Sequence, residues 1–383
     1  MSKIRVLVTD DSAFMRKVIS DILSEDPEVE VIDRARNGLE CIEKCSKLQP
    51  DVVTLDIEMP VMDGLEALEK LMKENPLPVV MLSSLTREGA DATIRALELG
   101  AFDFVTKPSG PISLDIHKVA DRLIQRVKAA ALSAKRRKAF QRPESRTVKV
   151  ETAETTISKL HQNTEKAAPA DAAPVVPTPA SPSSIPFSKR VGASNKLVVL
   201  GTSTGGPKAL QKVLTAIPAN FPAPIAIVQH MPAGFTKSLA QRLDSLSRIH
   251  VTEVQDGEAL LPATAYIAPG GYHFEVHQSN GKLYARLTQE EPRGGHRPSV
   301  DVLFESVSRL TNIDKWAIIM TGMGNDGTKG LQLMKQTGTV TSIVEDESTC
   351  VVFGMPRAAI QAGVADNIVP LDNIPELLCK LLH

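Results

Sequence analysis

Short apolar runs alternate with amphipathic stretches along this chain; the alternation stops once, then resumes. Over the first 130 residues the apolar runs are IRVLVTD, VEVIDRA, DVVTLDI, PVVMLSS and AFDFVTKP. Each precedes a stretch with apolar residues three and four apart, beginning with FMRKVISDIL and ending with HKVADRLIQRVKAAAL. Continuous apolar runs bounded by turns predict buried strands, and the helical period predicts helices packed on them. Five such units predict a doubly wound parallel sheet of flavodoxin-like order, with helices on both faces.

The pattern dissolves from about residue 141 to 190. ETAETTISKLHQNTEKAAPADAAPVVPTPASPSSIP is rich in Ala, Pro, Ser and Thr and holds no aromatic residue, so it predicts a disordered linker. About 50 flexible residues span roughly 40 Å and tether the two halves at roughly millimolar effective concentration. Alternation then returns in KLVVLG, APIAIVQH, TAYIAPGG, KWAIIMTG and TVTSIVE, which predict a second parallel α/β domain. YHFEVHQSNGKLYARLTQ alternates on either side of Asn280-Gly281, the signal of an antiparallel β-hairpin. The expected organisation is one domain over 1–125, a helix end and linker over 126–190, and a second domain over 191–383.

Composition narrows the function classes. The net charge of −1 over 383 residues gives no general pull toward nucleic acid or anionic membrane. KRRK at 135–138 could be a local basic patch, but it fits basic residues facing a helix C-terminus. The N-terminus lacks a signal-peptide core, and no apolar run approaches the roughly 20 residues needed to span a bilayer. Cys41 and Cys45 lie one helical turn apart without a second ligand pair, so with Cys350 and Cys379 they read as reduced thiols of a cytoplasmic protein rather than a zinc site.

In the first half the chemistry gathers at strand ends. Asp10 and Asp11 follow the first strand and Asp56 ends the third, and in a 2-1-3-4-5 sheet those ends are neighbours. Three carboxylates there suit Mg²⁺, with Asp56 as nucleophile toward phosphorus. Ser83 ends the fourth strand and Lys107 the fifth, where a hydroxyl and an ammonium could bind phosphoryl oxygens. Helix caps and solvated turns are the plain alternative at any one of these positions. In their order, VTDD, LDIEMPVMDG, MLSS and FVTKP make residues 1–125 resemble a response-regulator receiver domain. The resemblance implies Asp56 as phosphoacceptor and Asp10, Asp11, Asp56 and the Glu58 backbone carbonyl around Mg²⁺. It also implies Ser83 and Lys107 as phosphate-sensing residues, Phe104 at an aromatic switch position, and a histidine kinase as phosphodonor.

In the second half, GTSTGG satisfies G-x-S-x-G between a strand and a helix, the context of a nucleophile elbow centred on Ser203. A phosphate-gripping loop or a simple turn and helix cap would also suit the stretch, although no G-x-x-x-x-G-K-[ST] motif occurs. APIAIVQH delivers His230 at a strand end, and KWAIIMTGMGNDG leads into a loop with Asp326. Three strand ends of one parallel sheet would bring serine, histidine and aspartate together as a hydrolase triad, with the Met323 and Gly324 amides as oxyanion donors. The order Ser, His, Asp differs from that of α/β-hydrolases. His296, in RGGHRPSVD with Arg293, Arg297 and Asp301, is the competing base; His230 is preferred. His250, His273 and His277 read as surface or structural, and Asp314 and Asp346 lack comparable context.

LGTSTGGP, QHMPAGFT, YIAPGGYH, RPSVDVLF and TGMGNDGTKGL make residues 194–383 resemble the catalytic domain of CheB-type chemotaxis protein-glutamate methylesterases. The resemblance implies the triad Ser203, His230 and Asp326, and hydrolysis of glutamate methyl esters on methyl-accepting chemotaxis receptors, with glutamine deamidation alongside. Thr202 departs from the alanine or serine usual before the nucleophile, and the linker exceeds the family minimum. The expected whole is a phosphorylation-gated esterase whose unphosphorylated receiver covers the Ser203 rim, needing no cofactor for the ester chemistry. A receiver fused to a non-catalytic binding module is the rival; a transcriptional regulator is disfavoured by the absence of a helix-turn-helix signal and of a basic face.

Overall fold

The computed structural model describes residues 3–107, 115–141 and 195–382. The expected disordered linker lies outside the described residues.

The first domain runs β1 (Ile4–Thr9), α1 (Ala13–Ser24), β2 (Val29–Ala35), α2 (Gly38–Leu48) and β3 (Val52–Asp56). It continues with α3 (Gly64–Glu74), β4 (Val79–Ser83), α4 (Arg87–Leu99), β5 (Asp103–Thr106) and α5 (Asp115–Gln141). Its five strands lie in the order β2-β1-β3-β4-β5, all parallel, as the alternation predicts. Ser12, Asn37, Asp63 and Thr86 start α1 to α4, each side chain accepting an amide hydrogen bond from the first turn. Chain order reverses between β1 and β3, which opens a crevice at their carboxyl ends.

The second domain opens with β6 (Lys196–Thr202), α6 (Gly206–Ala216), β7 (Ile225–Gln229), α7 (Phe235–Leu246), β8 (His250–Glu253) and β9 (Thr264–Ile267). The hairpin β10 (His273–Ser279) and β11 (Lys282–Thr288) follows, then α8 (Val300–Ser308), β12 (Asp314–Ile319) and α9 (Thr328–Thr337). β13 (Val340–Glu345), α10 (Met355–Gln361), β14 (Asn367–Val369) and α11 (Ile374–Leu382) complete it. Its seven-stranded sheet has the order β14-β13-β12-β6-β7-β9-β8, parallel throughout. β6 sits between β7 and β12, so the loops after these three strands meet at one edge.

One apolar cluster runs across both domains, because α4 packs on α6 and α7. The Phe104 ring of β5 stacks on Phe235 of α7, centroids 4.9 Å apart. α5 is 27 residues long and carries the basic run, yet Arg136 there does more than face its own helix end. Its guanidinium donates to the carbonyls of Glu347 (3.0 Å) and Cys350 (2.8 Å) in the second domain.

Candidate active site

At the crevice of the first domain, carboxylate oxygens of Asp10, Asp11 and Asp56 lie within 4.8 Å of one another. Asp10 and Asp56 are buried and Asp11 is exposed. Lys107 Nζ lies 2.6 Å from Asp56 Oδ2 and 2.9 Å from Asp10 Oδ2. Burial pushes the Asp56 carboxyl up to about 6, with Lys107 pulling the other way and Asp10 and Asp11 adding to the rise. One ammonium against three carboxylates leaves a net negative, all-oxygen site, a donor set that fits a hard divalent cation. Glu58 follows in the exposed turn after β3.

Ser83 and Phe104 stand apart from that cluster. The Ser83 hydroxyl donates to the Gly89 carbonyl (3.1 Å) and accepts from Thr93 Oγ1 (2.7 Å), so it is turned toward α4. Phe104 is buried against α7.

In the second domain Ser203 sits directly after β6. Its amide donates to the Thr321 carbonyl (3.0 Å), and its own carbonyl accepts from the Gly206 amide (2.8 Å) and the Gln229 side chain (3.0 Å). Gly205 takes φ 79°, a left-handed turn that lets the backbone reverse into α6. Thr202 Oγ1 donates to the Thr321 carbonyl (2.9 Å), so that hydroxyl is committed to the turn. Thr321 in turn donates its amide to the buried Glu345 carboxylate (2.7 Å) and its hydroxyl to the Thr204 carbonyl (2.9 Å). Glu345 and Thr321 thus brace the serine turn from the ends of β13 and β12.

His230 follows β7 with its side chain only 4% exposed, and its Nε2 lies 2.8 Å from Asp326 Oδ2. Asp326 is fixed where α8 begins: Ser299 Oγ and the amides of Asp301 and Gly327 donate to Oδ1, and the Val300 amide donates to Oδ2. Burial works to raise its carboxyl, but the bond to His230, the histidine's charge and the helix amides outweigh it and hold the group well below the usual range. Facing a carboxylate, Nε2 carries the proton of the neutral ring, so the free lone pair is on Nδ1. That nitrogen is buried and has no hydrogen-bond partner among the described residues.

Ser203, His230, Met323 and Gly324 line one cavity of about 490 Å³. His296 lines it as well, its ring 3.9 Å from that of His230 and inclined by 4°. Three further histidines lie elsewhere: His250 pairs with Asp244 (2.8 Å), His273 bonds the Glu291 carbonyl (3.2 Å), and His277 stacks on Tyr284.

The first domain closes part of this cavity. Thr204, next to Ser203, donates its hydroxyl to Asp103 Oδ2 (2.6 Å) at the start of β5. Arg126 of α5 pairs with Asp103 (2.9 Å) and donates to Thr204 Oγ1 (2.8 Å) and Met323 Sδ (3.0 Å). A flanking ion pair joins Arg242 of α7 to Glu98 of α4 (2.7 and 3.1 Å). Sequence reasoning missed Asp103, Arg126, Thr321 and Glu345. Asp103 and Glu345 carried a weak signal, each a charged residue at one end of an apolar strand.

Known proteins resemble the whole chain. Residues 6–117 match the response regulator receiver domain family and residues 198–378 the CheB methylesterase family. A protein-glutamate methylesterase/protein-glutamine glutaminase of Halalkalibacterium halodurans is 52% identical over 379 residues, 99% of this chain and 98% of the relative. One of the same name from Geobacillus kaustophilus is 51% identical over 388 residues, 100% of this chain and 99% of the relative. The crystal structure of the Thermotoga maritima CheB methylesterase catalytic domain is 48% identical, covering 48% of this chain and 97% of that one with a TM-score of 0.47.

Proposed function

The chain belongs to the protein-glutamate methylesterase/protein-glutamine glutaminase family, and from that premise we propose that Ser203, His230 and Asp326 hydrolyse glutamate methyl esters on chemotaxis receptors. The observation that carries the assignment is the buried, unpartnered Nδ1 of a histidine whose Nε2 is held by a carboxylate. As Ser203 Oγ attacks the ester carbonyl, His230 Nδ1 takes its proton and then gives it to the departing methoxide, releasing methanol. A water then loses a proton to the same nitrogen, attacks the acyl-enzyme and frees the glutamate carboxylate and Ser203. Asp326 keeps the Nε2–H tautomer and stabilises the imidazolium. The amides of Met323 and Gly324 would receive the oxyanion, each such donor worth about 3 kcal/mol. With a glutamine side chain the same steps release ammonia.

In the receiver, Asp10, Asp11, Asp56 and the Glu58 carbonyl would hold Mg²⁺, which would supply charge neutralisation between a phosphate and Asp56. Asp56 takes the phosphoryl group from a chemotaxis histidine kinase, and Lys107 is placed to bind a phosphoryl oxygen. Ser83 and Phe104 then respond, Ser83 from its contacts with α4 and Phe104 from its stack on α7. In the unphosphorylated state the Asp103–Arg126–Thr204 contacts hold β5 and α5 against the serine turn, so phosphorylation gates access to Ser203. The protein works in the cytoplasm, where receptor and kinase meet; no described helix is long and apolar enough to cross a membrane.

Methanol release from methyl-labelled receptor membranes tests the assignment. Ser203→Ala should lower the rate by at least about 10⁴-fold, and retained methyl release would remove the serine from the mechanism.

A further inference from the structure

The reaction above gives His296 no task, although its ring lies flat on the base with centroids 3.9 Å apart and planes inclined by 4°. Asp326 restrains the His230 ring at Nε2, and Nδ1, the atom that must meet the serine proton, has no partner among the described residues. A hydrogen bond at one edge sets where that edge lies but resists tilting of the ring only weakly. A parallel ring against its face blocks the tilt.

His296 is itself held firmly. The amides and carbonyls of Arg293 and His296 pair reciprocally at 3.0 Å. Gly294 and Gly295 between them take φ 59° and 81°, a tight reversal suited to glycine. Arg293 is ion-paired to Glu305 of α8 (2.5 Å), and Arg297 Nη1 donates to the carbonyls of Gln289 and Glu290. The ring is therefore presented by its own domain, whether or not the receiver is in place.

We propose that His296 is a positioning residue: stacked on His230, it holds the base in the plane where Nε2 meets Asp326 and Nδ1 meets the serine. Its ring face also supports the imidazolium formed at each proton transfer, as aromatic faces support cations. The inference rests on His230 being the base. The charged and titratable groups facing His296 are His230, Asp326, Arg126 and Arg122. Burial is the main cause that pushes it down to about 4; His230, whenever it is protonated, and the two arginines add to this, and Asp326 opposes it. It is thus neutral at neutral pH. A cation at this position would oppose the charging of His230 in the step that needs it.

The test uses full-length chain, Mg²⁺, a small-molecule phosphoryl donor and methylated receptor membranes, with kcat and KM determined separately and Tm measured for every variant. His296→Ala and His296→Gln should lower kcat by roughly 100-fold, the cost of misplacing a catalytic group by about 1 Å, with KM little changed. His296→Phe, which keeps a flat ring but cannot move a proton, should recover most of kcat. If His296→Ala is too unstable to assay, the Gln and Phe variants carry the comparison. His296→Phe as slow as His296→Gln would overturn the proposal, since the residue would then act through its nitrogens. Unchanged kcat in the Ala or Gln variant would overturn it too. His230→Gln separates the two readings: if it stays active the triad itself fails, whereas its loss beside an unaffected His296→Gln defeats this inference alone.

Discussion

Replacing Arg126 with alanine removes the contacts by which α5 reaches the serine turn and leaves Ser203, His230 and Asp326 untouched. Only interactions that cross between the domains count toward the closed state, because the Arg126–Asp103 pair lies within the receiver and persists when the domains part. The crossing terms are the hydrogen bond to Thr204 Oγ1 at 2.8 Å and the contact with Met323 Sδ at 3.0 Å. A hydrogen bond from a charged donor is worth about 2 kcal/mol. In the variant, closure would also bury Asp103 with the Thr204 hydroxyl but without its cation. A loss of about 2 kcal/mol moves a closed–open equilibrium by roughly 30-fold. Unphosphorylated Arg126→Ala chain should therefore release methanol up to roughly 30 times faster than its parent, with the phosphorylated parent as ceiling. Arg242→Ala is the internal control. Its partner Glu98 is lost from an exposed pair, the arginine side chain 46% accessible, and such pairs contribute at most about 1 kcal/mol, a factor of roughly five. The reasoning is refuted if Arg126→Ala has the parent's basal rate while phosphorylation still activates both, or if Arg242→Ala is the stronger activator.

Three further outcomes follow from the geometry. The Asp56 carboxyl is raised from 3.8 to about 6, so the folded chain holds this proton more tightly than the unfolded one. Its contribution to stability is complete below pH 3.8 and is lost as pH rises through about 6. In Mg²⁺-free buffer, Asp56→Asn should thus raise Tm at pH 7.5, with the gain fading toward pH 4; a lower Tm at pH 7.5 would contradict the burial argument. Gly201→Ala would place a methyl 2.3 Å from Val300 Cγ1, at the start of the helix whose amides hold Asp326. Overpacking there should cost about 1–3 kcal/mol in denaturant unfolding and reduce esterase activity as well. Asp326→Asn removes the charge that opposes the imidazolium and unsettles the Nε2–H tautomer, so kcat should fall by about 10⁴-fold; Tm should fall as well, because the new amide nitrogen would face donors that now hold the carboxylate.

Much of the fold was legible because its signals are local. Apolar runs bounded by turns marked the strands, and the helical period between them required parallel pairing. Neighbouring parallel strands set Asp10 and Asp56 side by side and Ser203, His230 and Asp326 at one edge of one sheet. Two edge strands, β8 and β14, escaped because HVTE and NIV are only part-buried and form no continuous apolar run, unlike the equally short but fully buried TAYI of β9. His296 was visible as a rival base, but that it stacks on His230 was not, since its tight turn reaches the ring only after α8 and the hairpin have packed.

The sequence by itself determined which chemistry stands at the strand ends, because backbone hydrogen bonding makes every parallel strand deliver its last residues to the same side. Tertiary structure alone decided which atoms of those residues meet. Ser83 could point to Asp56 or to α4, and the packing of α4 turned it to Thr93. Thr204 could have served the turn as Thr202 does, and instead its hydroxyl reaches Asp103, 101 positions away in the chain. Periodicity and turn chemistry act over a few residues, whereas a hydrogen bond between surfaces so distant in sequence depends on how two finished domains fit together.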